Sequence, residues 1–258
     1  MTWLDAGHPA AALFGLVVAA VLGWWCPALI ARIPEPEPEP EPGPEPETTP
    51  EAVAGERPGL PPAPPKEPYA AIAALPGLAW KTALASGVTG AVLAASVGWA
   101  WALLVLLPLA PIGVALALVD WRTTLLPTRV IAPTYAFTIG AVLVAAFADH
   151  DRDALVHAAI GWAVMGGIFF VLWFIYPRGL GYGDVRLSGV LGIALGYLGW
   201  GELATGIYGA FLIGGVGGAL LSLLRIVNRK RFPFGPFMLV AAVVAVACGS
   251  WVTDRLGY

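Results

Sequence analysis

The sequence predicts an all-α, polytopic transmembrane helical bundle of about eight spans with its N-terminus outside. Of its 258 residues 58% are hydrophobic and only 12% are charged, whereas soluble domains carry about 25% charged residues. The mean hydropathy is +0.77, and apolar runs of bilayer-crossing length recur along most of the chain. Outside one acidic segment the chain is slightly basic, so its total charge implies neither a nucleic acid nor an acidic ligand.

The spans follow from the length of each apolar run, since a crossing needs about 20 such residues. They cover roughly residues 9–31, 70–97, 99–120, 130–148, 155–176, 185–199, 203–224 and 236–253. The first run follows the acidic start MTWLDAGH and lacks the basic start and short core of a secretory signal, so we interpret it as a retained span. The boundary near residue 98 rests on length alone, because residues 82–119 are continuously apolar.

A segment of different composition separates the first two spans. Proline and glutamate alternate in IPEPEPEPEPGPEPE, and nine of the 17 acidic residues lie between residues 33 and 68. Such a sequence forms neither a helix interior nor a packed core, which predicts an extended, disordered, self-repelling tether. The chain therefore divides into a transmembrane anchor (1–32), a cytoplasmic tether (33–68) and a membrane domain (69–258).

The orientation follows from the distribution of Lys and Arg. With the N-terminus outside, twelve of the 14 cationic residues fall on the cytoplasmic side, and only Arg152 and Arg255 fall on the outer side. This asymmetry also favours an even number of spans. We therefore expect a multi-pass protein of the plasma (inner) membrane, surrounded by the lipid bilayer.

Two carboxylates remain on the cytoplasmic side once the tether is set aside. Asp120 ends the third predicted span, and Asp184 directly precedes the sixth. A carboxylate in the bilayer costs up to about 3 kcal/mol on insertion scales. Asp184 could be a helix N-cap, because Asp is favoured there and its charge suits a helix N-terminus. Asp120 lies at the C-terminus of its predicted helix, where a negative charge opposes the helix dipole. The alternative role for Asp120 is an interfacial ion pair with Arg122.

Taken together, the two aspartates predict a hydrolytic site. Facing carboxylates can share one proton, because neighbouring like charges cannot both ionise cheaply. The ionised group could deprotonate a water molecule while the protonated group polarises a peptide carbonyl, which is acid–base hydrolysis without a metal ion, a cofactor or a covalent intermediate. Gly181 and Gly183 of GLGYGD would let the backbone turn sharply and let a substrate chain approach Asp184.

Other candidate chemistry is missing from the sequence. The three histidines lie at or near the outer face. Cys26 and Cys248 sit inside apolar runs without a basic partner or the spacing of a zinc site, so we interpret them as packing residues. The hydrolytic interpretation therefore rests on the aspartates alone.

Three segments resemble those of the type IV prepilin peptidases. VDWRTTLLPTRVI, with Asp120 and Pro127, resembles the family's aspartate–six-residue–proline segment, and GLGYGDVRL resembles its G-x-G-D motif. KRFPFGPFML, with Gly235, is similar to the F-G-P-F signature that opens the last span. The three occur in the family's order, and the resemblance covers about residues 80 to 253.

The resemblance implies an intramembrane aspartic protease with Asp120 and Asp184 as its catalytic pair. The site-shaping residues would be Gly181, Gly183, Pro127 and Gly235. The implied reaction removes a short basic leader from pilin-like precursors, just before their hydrophobic helix, at the cytoplasmic face. Larger members carry paired cysteines associated with N-methylation where this chain has its tether, so methyltransferase activity is not carried over.

Two other functions fit part of the pattern. A proton-coupled membrane transporter also uses intramembrane carboxylates, but it would place them near mid-span, whereas both aspartates here lie at one face. A catalytically silent membrane assembly factor would need neither carboxylate to react. Cleavage of a pilin-like substrate by the solubilised protein separates the three functions.

Overall fold

The computed structural model describes residues 8–35, 67–177, 179–224 and 233–256. Within these ranges the chain forms helices and short connections and no strand, which confirms the predicted all-α class. The helices are α1 Pro9–Gly23, α2 Cys26–Ala31, α3 Tyr69–Ala73, α4 Leu78–Val97, α5 Ala102–Thr123, α6 Thr128–Ala148, α7 Asp153–Ile175, α8 Tyr182–Leu198, α9 Trp200–Leu223 and α10 Gly235–Leu256.

Six stretches of these described helices are long and apolar enough to cross a membrane. One of them, Pro9–Ala31, combines α1 and α2, and the others lie in α4, α5, α6, α7 and α9. The two further predicted spans correspond to α8, which has 17 residues, and to the apolar part of α10, Gly235–Gly249. The protein is therefore a multi-pass membrane protein.

The predicted second span, 70–97, is interrupted. Helix α3 ends at Ala73, and α4 begins only after Gly77, which has a φ of 68°. Pro76 precedes this glycine and lacks the backbone N–H that a continuous helix would need. The predicted boundary near residue 98 is confirmed, because Gly98 ends α4 with a φ of 65°.

Helix α5 lies at the centre of the bundle. In the 18-residue apolar stretch of this helix 61% of the residues are buried, against 22–44% in the corresponding stretches of the other five candidate spans. It contacts α1, α2, α3, α4, α6, α8 and α10. Cys26 at the start of α2 is buried and donates its thiol to the carbonyl oxygen of Pro111 in α5 (3.3 Å), which agrees with a packing role.

Three pairs of helices make the most extensive contacts: α1 with α4, α7 with α8, and α9 with α10. Small residues form these interfaces, because helix association in lipid depends on close packing rather than on the exclusion of water. A Cβ atom on Gly90 of α4 would lie 2.5 Å from the Cβ of Ala19 in α1. Gly192 and Gly196 of α8 face Gly161 of α7 in the same way.

Replacing Gly161 with Leu should separate α7 from α8. A Cβ atom there would collide with the carbonyl oxygen of Gly192 and lie 2.9 Å from the Cα of Gly196. Overpacking of this kind costs about 1–3 kcal/mol. We expect a clearly lower midpoint in thermal unfolding of the detergent-solubilised protein.

Gly167→Leu is the matched control on the same helix, since no atom lies within 4 Å of a Cβ atom at Gly167. Its unfolding midpoint should stay close to that of the wild type. Equal midpoints for the two variants would show that the α7–α8 contact is looser than described.

Candidate active site

Asp120 is buried in the last turn of α5, with 4% of its surface exposed. The helix continues to Thr123, beyond the predicted end at residue 120, and stops at Thr124 in the left-handed conformation. The backbone N–H of Gly235 donates a hydrogen bond to Oδ2 of Asp120 (3.0 Å). This donor supplies part of the compensation that a buried carboxylate requires.

Gly235 is the first residue of α10, so Asp120 lies at a helix N-terminus, where a negative charge is stabilised. A Cβ atom on Gly235 would lie 2.8 Å from Oδ2 of Asp120 and 3.3 Å from Cδ1 of Leu126. Only glycine therefore lets the α10 backbone approach this carboxylate without displacing it.

Asp184 lies in the first turn of α8 and is 7% exposed. The alternative that Asp184 is the N-cap is wrong, because α8 begins at Tyr182 and Gly181 is the N-cap residue. The helix starts before the predicted residue 185, since the side chain of Asp184 bonds back to the cap: its Oδ2 accepts the N–H of Gly181 (3.0 Å). Its Oδ1 is buried and has no hydrogen-bond partner among the described residues.

Leu126 connects the two aspartate-bearing segments. It lies in the short connection between α5 and α6, and a Cβ atom on Gly183 would lie 2.6 Å from its Cβ. Its other end reaches Gly235, so one leucine contacts the first turns of both α8 and α10. The structure thus brings the end of α5, which carries Asp120, and the start of α8, which carries Asp184, together around Leu126.

Pro127 directly follows Leu126 and is the N-cap residue of α6, with an extended backbone (φ −69°, ψ 123°). The next residue, Thr128, accepts a hydrogen bond from the guanidinium group of Arg186 in α8. The same guanidinium group lies over the ring of Tyr182, 4.5 Å from its centroid. These contacts fix the first turn of α8 against the start of α6.

Arg122 does not pair with Asp120, so the alternative of an interfacial ion pair is wrong. Its Nε lies 2.8 Å from Oε2 of Glu67, and its Nη2 donates to Oε1 of the same residue (2.8 Å). Two residues along a helix point about 200° apart, so Arg122 faces away from the Asp120 carboxylate. The acidic partner is at the end of the predicted tether, of which residues 36–66 lie outside the described residues.

Sequence reasoning identified both carboxylates and the glycines beside them but missed three contacts. Leu126 is an ordinary apolar residue, and nothing in TTLLPT marks it as the contact point of three segments. The Arg186–Thr128 and Arg122–Glu67 contacts each join residues more than fifty positions apart. In the sequence these two contacts are marked only by charged or polar residues near the aspartates.

The two carboxylates of this site can accept and donate protons. One oxygen of each carboxylate is held by a glycine N–H, which orients both groups. In the part of the chain that the structure describes, no cluster of three or more His, Cys, Asp or Glu residues could hold a metal ion. Fold and site together define a multi-pass membrane protein with a paired-carboxylate site at one end of its helical bundle.

The chain belongs to the type IV leader peptidase family. The sequence model of this family matches residues 107–249, a stretch that contains Asp120, Asp184 and Gly235. This match confirms the resemblance to the type IV prepilin peptidases. The family's region begins inside α5 and ends inside α10, so α1 to α4 lie outside it.

Several proteins called prepilin leader peptidase/N-methyltransferase are similar to this chain. The one from Aeromonas hydrophila is 30% identical over 155 residues, which are 59% of this chain and 52% of the relative. The one from Pseudomonas aeruginosa is 30% identical over 143 residues (54% and 47%), and the one from Stutzerimonas stutzeri is 27% identical over 172 residues (66% and 58%). The chain spans about half the length of the curated relatives that it matches. No solved structure matches it.

The ion pair between Arg122 and Glu67 predicts that replacements of these two residues are energetically coupled. In a double-mutant cycle on thermal unfolding, Glu67→Gln and Arg122→Gln should couple by about 0.2–1 kcal/mol, the range of exposed pairs. The cycle of Asp120→Asn with Arg122→Gln is the control and should be additive. Coupling in the second cycle but not in the first would restore the ion pair between Arg122 and Asp120.

Proposed function

We propose that this protein is a membrane-embedded aspartic endopeptidase that removes the leader peptide of type IV pilin-like precursors. The observation that carries the proposal is the burial of Asp120 and Asp184 together, each oriented by a glycine N–H, at one end of the bundle. Membership of the type IV leader peptidase family supports it. The names of the relatives supply the substrate class.

The reaction uses the two carboxylates as an acid–base pair. The ionised carboxylate takes a proton from a water molecule, whose oxygen adds to the carbonyl carbon of the scissile peptide. The protonated carboxylate donates to the carbonyl oxygen and stabilises the charge that develops there. The C–N bond then breaks, the amine nitrogen receives a proton, and the pair again holds one shared proton.

The glycines serve the approach of the substrate. Gly181 and Gly183 lack side chains on the turn that leads into Asp184, so a peptide backbone can come close to the free Oδ1 of this residue. Pro127 and Gly235 act indirectly: Pro127 fixes the start of α6 beside Leu126, and Gly235 holds Asp120. We assign all four residues to shaping the site rather than to proton transfer.

We place the site at the cytoplasmic face of the plasma membrane. Arg122 and Arg186 each lie two residues after an aspartate, and Arg129 lies nine residues after Asp120. Cationic residues accumulate on the cytoplasmic side of membrane proteins. A precursor that has not yet been exported presents its leader on that side. The substrate therefore meets the aspartates before its mature part leaves the cytoplasm.

The two rival functions fit the geometry less well. A proton-coupled transporter needs titratable groups along a path across the membrane. Asp120 lies in the last turn of α5 and Asp184 in the first turn of α8, so the pair occupies one level only. A silent assembly factor leaves unexplained why an oxygen of Asp184 is buried with no hydrogen-bond partner in the described part of the chain.

Each single replacement of an aspartate should nearly abolish cleavage. Asp120→Asn and Asp184→Asn keep the shape and the hydrogen bond to the glycine but cannot cycle a proton. General acid–base groups contribute about 100- to 10,000-fold, so kcat on a detergent-solubilised pilin-like precursor should fall by about 100-fold or more. Mass spectrometry of the new N-terminus identifies the cleaved bond and shows whether it is methylated; we expect an unmethylated amine.

Asp149→Asn is the control, because this exposed carboxylate lies at the opposite end of α6. It should cleave like the wild type. The proposal fails if the wild-type protein leaves the precursor intact, or if either site variant retains substantial cleavage while it folds normally.

A further inference from the structure

An apolar groove of about 320 Å³ lies between α4 and α10 and has its floor on α5 and α8. Leu106 and Leu195 in the floor are at most 4% exposed. Val240 and Val244 form its α10 rim and are 52% and 39% exposed. The groove therefore has a packed floor and an open side.

The α5 side of the groove leads directly to Asp120. The lining residues of this helix recur every three or four positions, which places them on one face. They are Leu106, Leu109, Ala110, Gly113, Val114 and Ala117. The next residue at this spacing is Asp120, so the carboxylate and the groove share one face of α5.

The other two helices show the same relation to the site. In α8, Leu191 and Leu195 line the groove and lie seven and eleven residues after Asp184, again on one helical face. In α10 the lining begins at Pro236, next to Gly235, whose N–H holds Asp120. Three helical faces thus run from the aspartates into one groove.

The dimensions of the groove indicate what it can hold. At a rise of 1.5 Å per residue, Ala117 lies about 4.5 Å and Leu106 about 21 Å from the level of Asp120 along α5. A chain that runs from the aspartates along this groove therefore crosses more than half of the roughly 30 Å hydrocarbon layer. At that depth the backbone must be helical to satisfy its own polar groups.

We propose that this groove binds the apolar helix that follows the scissile bond of the substrate, and this inference rests on the proposed function. Ala110, Gly113 and Ala117 have small side chains or none, which leaves room in the groove for side chains from one face of that helix. The open rim at Val240 and Val244 lets that helix enter sideways from the lipid. The groove aligns the helix along α5 and thereby delivers the bond before it to Asp120 and Asp184.

Gly113→Leu tests the groove by filling it. A Cβ atom at Gly113 would lie 3.1 Å from Cδ2 of Leu239, so the larger side chain occupies the space between α5 and α10. The control is Gly140→Leu at mid-length in α6, where no atom lies within 4 Å of a Cβ atom. Two substrates are compared: a full precursor, and a peptide that spans the cleaved bond but lacks the apolar helix.

The measured quantity is the ratio of kcat/KM for the precursor to kcat/KM for the peptide. In Gly113→Leu this ratio should fall about tenfold or more, the effect of a misfit in an apolar pocket. In Gly140→Leu it should match the wild-type ratio. An unchanged ratio in Gly113→Leu, including an equal loss on both substrates, would overturn the groove assignment.

A photo-crosslinking residue at Val240 gives a second test that does not depend on the folding of Gly113→Leu. In an Asp184→Asn background it should capture the apolar helix of the precursor in liposomes, while the same residue at the exposed Phe137 of α6 should not. Capture of lipid alone at Val240, or equal capture at both positions, would refute the assignment. Failure of the wild-type protein to cleave either substrate would instead refute the proposed function.

Discussion

The structure depends on the burial of two carboxylates at one end of an apolar bundle. Each is held by a backbone N–H that only a close approach of main chain can supply, from Gly235 to Asp120 and from Gly181 to Asp184. A backbone N–H in this position donates a hydrogen bond to one carboxylate oxygen and adds no positive charge. A cation there would hold the carboxylates in their ionised form and oppose the sharing of one proton. Since Arg122 binds Glu67, Asp120 also stays free of its nearest cation in the sequence.

The surrounding helices keep this arrangement rigid. Helix α5, which holds Asp120 in its last turn, runs through the centre of the bundle. Helix α8 packs on α7, and α10 packs on α9. Each segment that contributes to the site therefore has its own close helical partner, and Leu126 joins the segments at their ends. Tight positioning of this kind matters for catalysis, because a displacement of about 1 Å can cost 100-fold in rate.

The sequence predicts the features that depend on composition and local pattern. Hydropathy indicates the helices, and the scarcity of acids outside the tether on the predicted cytoplasmic side singles out Asp120 and Asp184. The start of α8 could not be located, because it depends on the bond from Asp184 back to Gly181 rather than on hydropathy. The partners of Arg122 and Leu126 could not be predicted either, since these contacts depend on how distant helix ends meet in three dimensions.

The central claim is that Asp120 and Asp184 act as one proton-sharing unit, and a double-mutant cycle on kcat tests it most directly. Residues that act as a unit are strongly non-additive. The protein with both Asn replacements should therefore cleave within about threefold of either single variant, although each replacement alone removes most of the rate. If the two losses multiply, the carboxylates act independently and the shared-proton mechanism is contradicted.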